Sequence, residues 1–147
     1  MSVLDKLKLW GLKKSPWVHH VNAGACNNCD IEVLELLTPR YDVERLGVLL
    51  VPSPRHADVL LVSGIVTRQI RPRLQEIYRQ AAKPCVVALL GACACSMGIF
   101  HDAWHAAGPA DEVIREVDPN AIILYIPGCP PKPEAMIAGL AKALQDL

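Results

Sequence analysis

Aromatic residues and net charge are both scarce in this chain. Aromatic side chains make up 5% of its 147 residues, with a single phenylalanine, so any core must be built from aliphatic side chains. The 15 Lys and Arg residues balance the 15 Asp and Glu residues, which leaves a formal net charge of +0. Proteins that bind nucleic acids normally present a basic surface to the phosphates. We therefore expect no nucleic-acid partner.

Long hydrophobic runs are also missing. The longest uncharged stretch, residues 84–100, is interrupted by Gly91 and Gly98. It is shorter than the roughly 20 apolar residues that a membrane-spanning helix needs. The N-terminus lacks the apolar segment of a secretory signal peptide. We therefore expect a cytoplasmic location, in which thiols stay reduced, and only peripheral association with a membrane.

Internal repeats, low-complexity tracts and Gly/Ser-rich linkers are absent too, so we predict a single α/β domain over residues 17–147. Residues 1–16 are predicted to be an amphipathic docking segment. One helical face of this segment carries four apolar side chains, Val3, Leu4, Leu7 and Trp10. Such a helix can dock on a membrane-embedded partner or on the lipid surface, and a terminal helix without any partner is the alternative.

Apolar runs alternate with helical patterns along the rest of the chain. The apolar runs predict buried strands at residues 17–23, 59–62, 85–90 and 121–126. The helical patterns predict helices at residues 27–37, 72–83, 112–117 and 133–147. Residues 41–51 fit either a helix or a strand, and residues 92–111 are predicted to form a long loop with room for one helical turn. This alternation predicts a parallel sheet with helices on both faces.

Hydrophobic residues are abundant, at 52% of the chain. A small domain has a limited interior in which to bury them. Part of the apolar surface is therefore expected to contact partner subunits, and an unusually dense core is the other explanation.

Four of the six cysteines directly follow predicted strands. Cys26 and Cys29 follow the first, Cys93 follows the strand at 85–90, and Cys129 follows the last. In an open parallel sheet the carboxyl ends of the strands share one edge, where ligands bind. We therefore expect the four thiols to converge, as the ligands of an iron–sulfur cluster do. Two other hypotheses stay open, a thioredoxin-like dithiol and a structural zinc site.

Three further residues, two cysteines and a glutamate, are weighed as participants in this site. Cys95 competes with Cys93 for the third position, and we favour Cys93 because it lies nearer the strand end; Cys95 is then predicted to tune the site through its weak S–H donor. Glu32 follows Cys29 by one helical turn, where it could relay protons or adjust the potential, or simply be stabilised by the helix dipole. Cys85 opens a strand at the opposite end of the sheet and is predicted to be a buried non-ligand.

Nucleotide-binding signatures are absent from the sequence. It contains no P-loop and no GxGxxG segment after a strand. We therefore predict an electron carrier without catalytic residues of its own, working inside a larger assembly.

Four segments together resemble a known family. They are "NAGACNNCDIEVLEL", "PSPRHADVLLVSGIVT", "GACACSMGIF" and "YIPGCPPKPEAMIAGL". Their order and spacing are similar to those of the small subunit of membrane-bound, energy-converting (group 4) [NiFe] hydrogenases. The superfamily includes the 20 kDa-type subunit of respiratory complex I, which typically has adjacent cysteines at the first position. Here Cys26 and Cys29 are separated by two residues, which favours the hydrogenase branch.

The resemblance implies a flavodoxin-like domain that holds one [4Fe–4S] cluster on Cys26, Cys29, Cys93 and Cys129. It also implies three kinds of partner: a [NiFe] large subunit, a ferredoxin-like subunit with two [4Fe–4S] clusters, and integral membrane subunits. Electrons would pass through this chain to the [NiFe] site for H₂ evolution, on the cytoplasmic side of the membrane. A complex I-like subunit and a sulfane-sulfur reductase subunit are the alternatives within the superfamily. The chain departs from its relatives at Asn28 and Met97, where glycine is common.

Overall fold

A computed structural model describes residues 10–146 of the chain. The described residues form a central sheet flanked by helices. The strands are β1 (Trp17–Asn22), β2 (Leu49–Leu50), β3 (Val59–Ser63), β4 (Val86–Leu90) and β5 (Ile122–Ile126). The helices are α1 (Asn28–Glu35), α2 (Arg71–Gln80), α3 (Gly91–Ser96), α4 (Ala110–Arg115) and α5 (Pro133–Asp146).

All neighbouring strands of the sheet are parallel, in the order β2-β1-β3-β4-β5. This is the strand order of flavodoxin-like sheets, and it confirms the predicted fold class. Every residue of β3 and β4 is buried, as expected for central strands covered on both faces.

Two hydrophobic cores lie on opposite faces of the sheet. On one face, Leu74 of α2 and Ile114 of α4 pack against Leu60 and Val87. On the other face, side chains of α1 and α5 pack against alternate residues of the same strands, Val33 and Met136 being examples. Because consecutive strand residues point to opposite faces, uninterrupted apolar runs such as the one in β3 can supply both cores at once. The expectation of helices on both faces is therefore confirmed.

The structure decides between the alternatives for one segment and corrects the prediction for another. Residues 41–51, which fitted either a helix or a strand, contain a 3₁₀ turn at Val43–Leu46 followed by the short edge strand β2. The predicted loop after β4 instead begins with the six-residue helix α3. Its sequence, GACACS, is too short and too rich in small residues to show an apolar period, so local pattern did not reveal it.

The predicted docking segment lies mostly in residues 1–9, outside the described residues. Residues 10–14 are helical, with Leu12 buried and Trp10 63% exposed. Across the described range, none of the helices combines the length and the apolar character required to traverse a bilayer.

Candidate metal centre

The four candidate cysteines all lie beyond the carboxyl ends of strands. Cys26 follows β1 and Cys29 lies in the first turn of α1, while Cys93 lies in the first turn of α3 and Cys129 follows β5. All of these strands are parallel, so their carboxyl ends share one edge of the sheet. This edge is where flavodoxin-like sheets bind their ligands.

Backbone contacts bring the segments of Cys29, Cys93 and Cys129 together. The N–H of Ala92 donates a hydrogen bond of 2.8 Å to the carbonyl oxygen of Gly128. A Cβ atom placed on Gly91 would lie 2.8 Å from the Sγ of Cys29 and 3.3 Å from that same carbonyl oxygen. Gly91 also has a φ of +83°, which side chains of L-residues rarely adopt. Only glycine therefore lets the start of α3 approach the Cys29 thiol so closely.

The loop that carries Cys26 is held over the end of β3. The Ala23 N–H donates a 2.9 Å hydrogen bond to the Ser63 carbonyl oxygen. Gly64, with a φ of +81°, leaves no room for a side chain because its Cβ would collide with the Ala25 backbone. The residue directly before Cys26 is therefore packed against the neighbouring strand.

The pKa values of two of these thiols, Cys29 and Cys93, are raised in part by the other candidate cysteines. Burial raises the pKa of Cys29 to about 11, and charges on Cys26, Cys93 and Cys129 add to the effect. Burial also raises the pKa of Cys93, followed by charges on Cys129 and Cys26. Burial and the neighbouring cysteines thus disfavour the thiolate form of Cys29 and Cys93. A bound cationic centre would have the opposite effect and favour the thiolates.

The sulfurs differ in exposure. Cys29 is buried and Cys93 is half-buried, whereas Cys26 and Cys129 are exposed. The site therefore has a closed side formed by α1 and α3 and an open side at the surface.

The remaining cysteines face elsewhere. The Cys95 S–H donates to the Leu89 carbonyl oxygen at 3.5 Å, and its side chain packs against one of the hydrophobic cores. Burial raises the pKa of Cys95, opposed by a backbone hydrogen bond from Ile126. Cys85 is 3% exposed at the amino end of β4, with its S–H directed to the Val86 carbonyl oxygen. Cys93 stays the predicted third ligand.

Glu32 lies on α1, half-buried, one turn after Cys29. Its roles as a proton relay or a tuning group stay predictions.

The donor set fits an iron–sulfur cluster in its chemistry. It consists of four thiols, the ligands that hold [4Fe–4S] clusters, and Gly91 lets the helix that carries Cys93 approach the most buried of them, Cys29. Within residues 10–146, no three His, Cys, Asp or Glu side chains are grouped tightly enough to hold a single metal ion. A structural zinc ion would need four sulfurs about 2.3 Å from one point, so the zinc hypothesis requires these segments to move inward.

Two residues of this edge were missed by sequence reasoning. In the sequence, Gly91 is recognisable only as a glycine next to a strand end. Such glycines are common and do not by themselves indicate a binding site. Asn22 also lies at a strand end, two residues before a glycine, which is a turn signal. Its contact with α1 depends on tertiary structure and has no such signal.

Comparison with protein families identifies the group to which this chain belongs. The family model described as NADH ubiquinone oxidoreductase, 20 kDa subunit, matches residues 26–143. The chain belongs to this family. The matched range includes all four candidate cysteines of the chain.

Three curated relatives of the chain are subunits of oxidoreductases. The probable membrane-bound hydrogenase subunit mbhJ of Pyrococcus furiosus is 47% identical over 134 residues, which are 91% of this chain and 77% of the relative. Formate hydrogenlyase subunit 7 of Escherichia coli is 43% identical over 133 residues, 90% of this chain, but the chain spans only 50% of that relative. An NADH-quinone oxidoreductase subunit of Citrifermentans bemidjiense is 38% identical over 143 residues, 97% of this chain and 78% of the relative.

Solved structures agree with the fold. A chain of the membrane-bound sulfane sulfur reductase, an archaeal respiratory membrane complex, superimposes with a TM-score of 0.78 and 36% identity, covering 95% of this chain and 73% of that one. A chain of the [NiFeSe] hydrogenase of Desulfovibrio vulgaris Hildenborough matches with a TM-score of 0.65 over 90% of this chain and 64% of its own, at 18% identity. The second match supports the fold alone.

Proposed function

We propose that this chain is the electron-transfer small subunit of a membrane-bound [NiFe] hydrogenase complex. In this role it holds one [4Fe–4S] cluster on Cys26, Cys29, Cys93 and Cys129. The observation that carries the proposal is the convergence of these four cysteines, from three separate strand ends, at one edge of the sheet. The 47% identity to a membrane-bound hydrogenase subunit favours hydrogenase among the possible complexes.

The chain's own residues would do three things for the bound group. The four thiolates would hold it, Gly91 would let α3 and its Cys93 lie close to Cys29, and the buried side of the site would shield it from water. The group, when bound, accepts and releases one electron at a time, with a potential set by burial and hydrogen bonds to its sulfurs. The exposed side, at Cys26 and Cys129, is where electrons would enter or leave.

Exposed apolar side chains near the site support a partner subunit that covers it. Ile99 is 91% exposed and Trp104 is 81% exposed, both in the segment that follows α3. Ile31 and Leu34 are exposed on α1, the helix that carries Cys29. Exposed apolar side chains commonly belong to interfaces, and we assign these four to contacts with the [NiFe] large subunit.

The remaining parts of the assembly are those that the resemblance to membrane-bound [NiFe] hydrogenases implies. A ferredoxin-like subunit with two [4Fe–4S] clusters would deliver electrons for H₂ evolution. Residues 1–16 would dock the chain on integral membrane subunits at the cytoplasmic face. Trp10, the described member of the predicted apolar face, is 63% exposed.

A second candidate is a cluster subunit of a complex I-like or sulfane-sulfur reductase complex. It is supported by the 38% identity to a subunit of an NADH-quinone oxidoreductase and by the 36% identity to the sulfane sulfur reductase chain. The partner large subunit separates the candidates, because nickel-binding cysteine pairs in it would indicate a hydrogenase.

The test is anaerobic purification of the full chain followed by metal analysis and electron paramagnetic resonance. We expect about four irons per chain, as a [4Fe–4S] cluster requires, and a signal that appears on reduction. Cys93→Ala should lose the iron, whereas Cys85→Ala, in a buried thiol at the far end of the sheet, should keep it. One zinc and no iron would refute the proposal, and loss of iron in Cys95→Ala instead of Cys93→Ala would refute the ligand assignment.

A further inference from the structure

A connected set of polar side chains adjoins the segments that carry Cys26 and Cys29. It consists of His20 and Asn22 on β1, Ser63 at the end of β3, and Asp30 on α1. Asp30 directly follows Cys29 in the chain, and the turn held by Asn22 ends at Ala25, directly before Cys26. The set therefore touches both segments that carry the first two cysteines.

Asn22 uses both ends of its side-chain amide. Its Oδ1 accepts hydrogen bonds from the N–H groups of Gly24, at 3.0 Å, and Ala25, at 2.9 Å. Its Nδ2 donates to Oδ2 of Asp30 at 2.6 Å. An asparagine amide is both an acceptor and a donor, which an aspartate carboxylate or an alanine methyl group is not. One side chain thus links the Cys26 loop to the helix of Cys29.

Asp30 is held in place by further contacts. The hydroxyl of Ser63, which is fully buried, donates to Oδ1 of Asp30 at 2.5 Å. The hydroxyl hydrogen is used in that bond, so Ser63 Oγ accepts from Nε2–H of His20 at 3.0 Å. The same His20 nitrogen lies 3.0 Å from Oδ1 of Asp30. The carboxylate therefore offers Asn22 a fixed acceptor anchored to two strands of the sheet.

We infer that Asn22 is a positioning residue that sets the relative placement of Cys26 and Cys29 by tying the Cys26 loop to Asp30. Residues outside the ligand set that orient metal ligands commonly change metal affinity by 10–100-fold when replaced. This inference rests on the proposed function, because it requires a cluster held by Cys26 and Cys29. Asn22 is not one of the four thiol ligands, so the proposed function by itself gives it no role.

Two substitutions separate the two ends of the Asn22 amide. Asn22→Ala removes both the acceptor and the donor. Asn22→Asp has nearly the same shape and keeps an acceptor for the Gly24 and Ala25 N–H groups, but it cannot donate to Asp30 and places a like charge against it. Asn120→Ala is the matched control, because Asn120 is an exposed asparagine in the turn before β5, at the opposite edge of the sheet.

The experiment compares the full chain and its variants after anaerobic cluster assembly. The readouts are the rate of iron release to a ferrous chelator and the g values of the reduced cluster. We expect both Asn22 variants to release iron about 10-fold faster or more and to show shifted g values. Asn120→Ala should match the unaltered chain in both readouts.

Each outcome decides the inference. If Asn22→Asp behaves as the unaltered chain does, the link to Asp30 has no positioning role, and the inference is wrong even if Asn22→Ala fails to fold. Unchanged g values in both variants would likewise overturn it, because a purely structural role changes stability but not the cluster signal. If the unaltered chain binds no iron, the proposed function fails and the inference falls with it. If the chain binds iron and only the Asn22 result is negative, the proposed function survives.

Discussion

At the scale of single residues, Gly91 is the position where a change of backbone conformation would most directly affect the candidate site. Gly91→Ala would place a methyl group 2.8 Å from Cys29 Sγ at a φ of +83°. The left-handed conformation alone costs about 1–2 kcal/mol for a residue with a Cβ. We expect a lower unfolding free energy and a loss of most of the iron, measured by denaturant unfolding and by iron content.

Gly11→Ala is the control for this substitution. Gly11 is helical, and a Cβ added there meets nothing within 4 Å. Alanine in a helix is favoured over glycine by up to about 1 kcal/mol, so this variant should keep its iron and be equally or more stable. Equal loss of iron in both variants would show that crowding at Cys29 is not the cause.

Cys85 gives a residue-scale prediction about pH. Burial raises the pKa of this thiol from 9.0 to about 11. A pKa that is higher in the folded state contributes stability that is complete below pH 9 and is lost as the pH rises toward 11. At about 1.4 kcal/mol for each pKa unit, the loss is about 3 kcal/mol.

Cys85→Ala should therefore show a shallower fall in stability between pH 9 and pH 11 than the unaltered chain. Denaturant unfolding at several pH values measures it, and comparing the two chains cancels the contribution of the other thiols. Parallel pH profiles would contradict the prediction.

At the scale of secondary structure, α2 anchors one face of the sheet through a few apolar side chains. Leu74 is fully buried in this helix. Replacing a buried leucine with alanine removes transfer free energy and leaves a cavity, at a cost of about 2–5 kcal/mol. Leu74→Ala should lower the unfolding free energy by that amount in denaturant unfolding. The exposed neighbour Arg73 serves as control, because Arg73→Ala should change stability by less than about 0.5 kcal/mol.

Apolar periodicity, more than length, decided which helices of this molecule were predictable, because α4 and α3 both have six residues and only α4 was predicted. The ten residues of α2 and the fourteen of α5 repeat an apolar face often enough to be recognised. The six residues of α3 complete fewer than two turns, and this helix forms because Gly91 allows the chain to reverse at the end of β4. Its position matters for function, because α3 is the element that carries Cys93.

At the scale of the whole molecule, exposed apolar side chains mark the surface expected to meet the large subunit. Trp104 is 81% exposed, so its loss removes little from the folded chain itself. Trp104→Ala should leave the unfolding free energy within about 0.5 kcal/mol. It should weaken the affinity for the large subunit, at a cost of about 2 kcal/mol or more, as is typical of interface tryptophans. Co-purification and titration of the two proteins measure the effect.

The control for Trp104 lies elsewhere on the surface. Trp10 is 63% exposed in the segment proposed to dock on the membrane part. Trp10→Ala should therefore leave the affinity for the large subunit unchanged and weaken membrane attachment instead. Equal effects of both substitutions on that affinity would contradict the assignment of the two surfaces.

The sequence by itself determined the strand pattern and the placement of four cysteines after strand ends. Both are local properties: a run such as Val59–Ser63 must be buried on both faces, and parallel strands end at one edge. Tertiary structure alone decided which groups meet at that edge. The fit of Gly91 against Cys29, the direction of Cys95 away from the other thiols, and the bond from Asn22 to Asp30 join residues whose contacts have no local signature. Such contacts depend on how helices pack on the sheet, and packing is set by the whole chain at once.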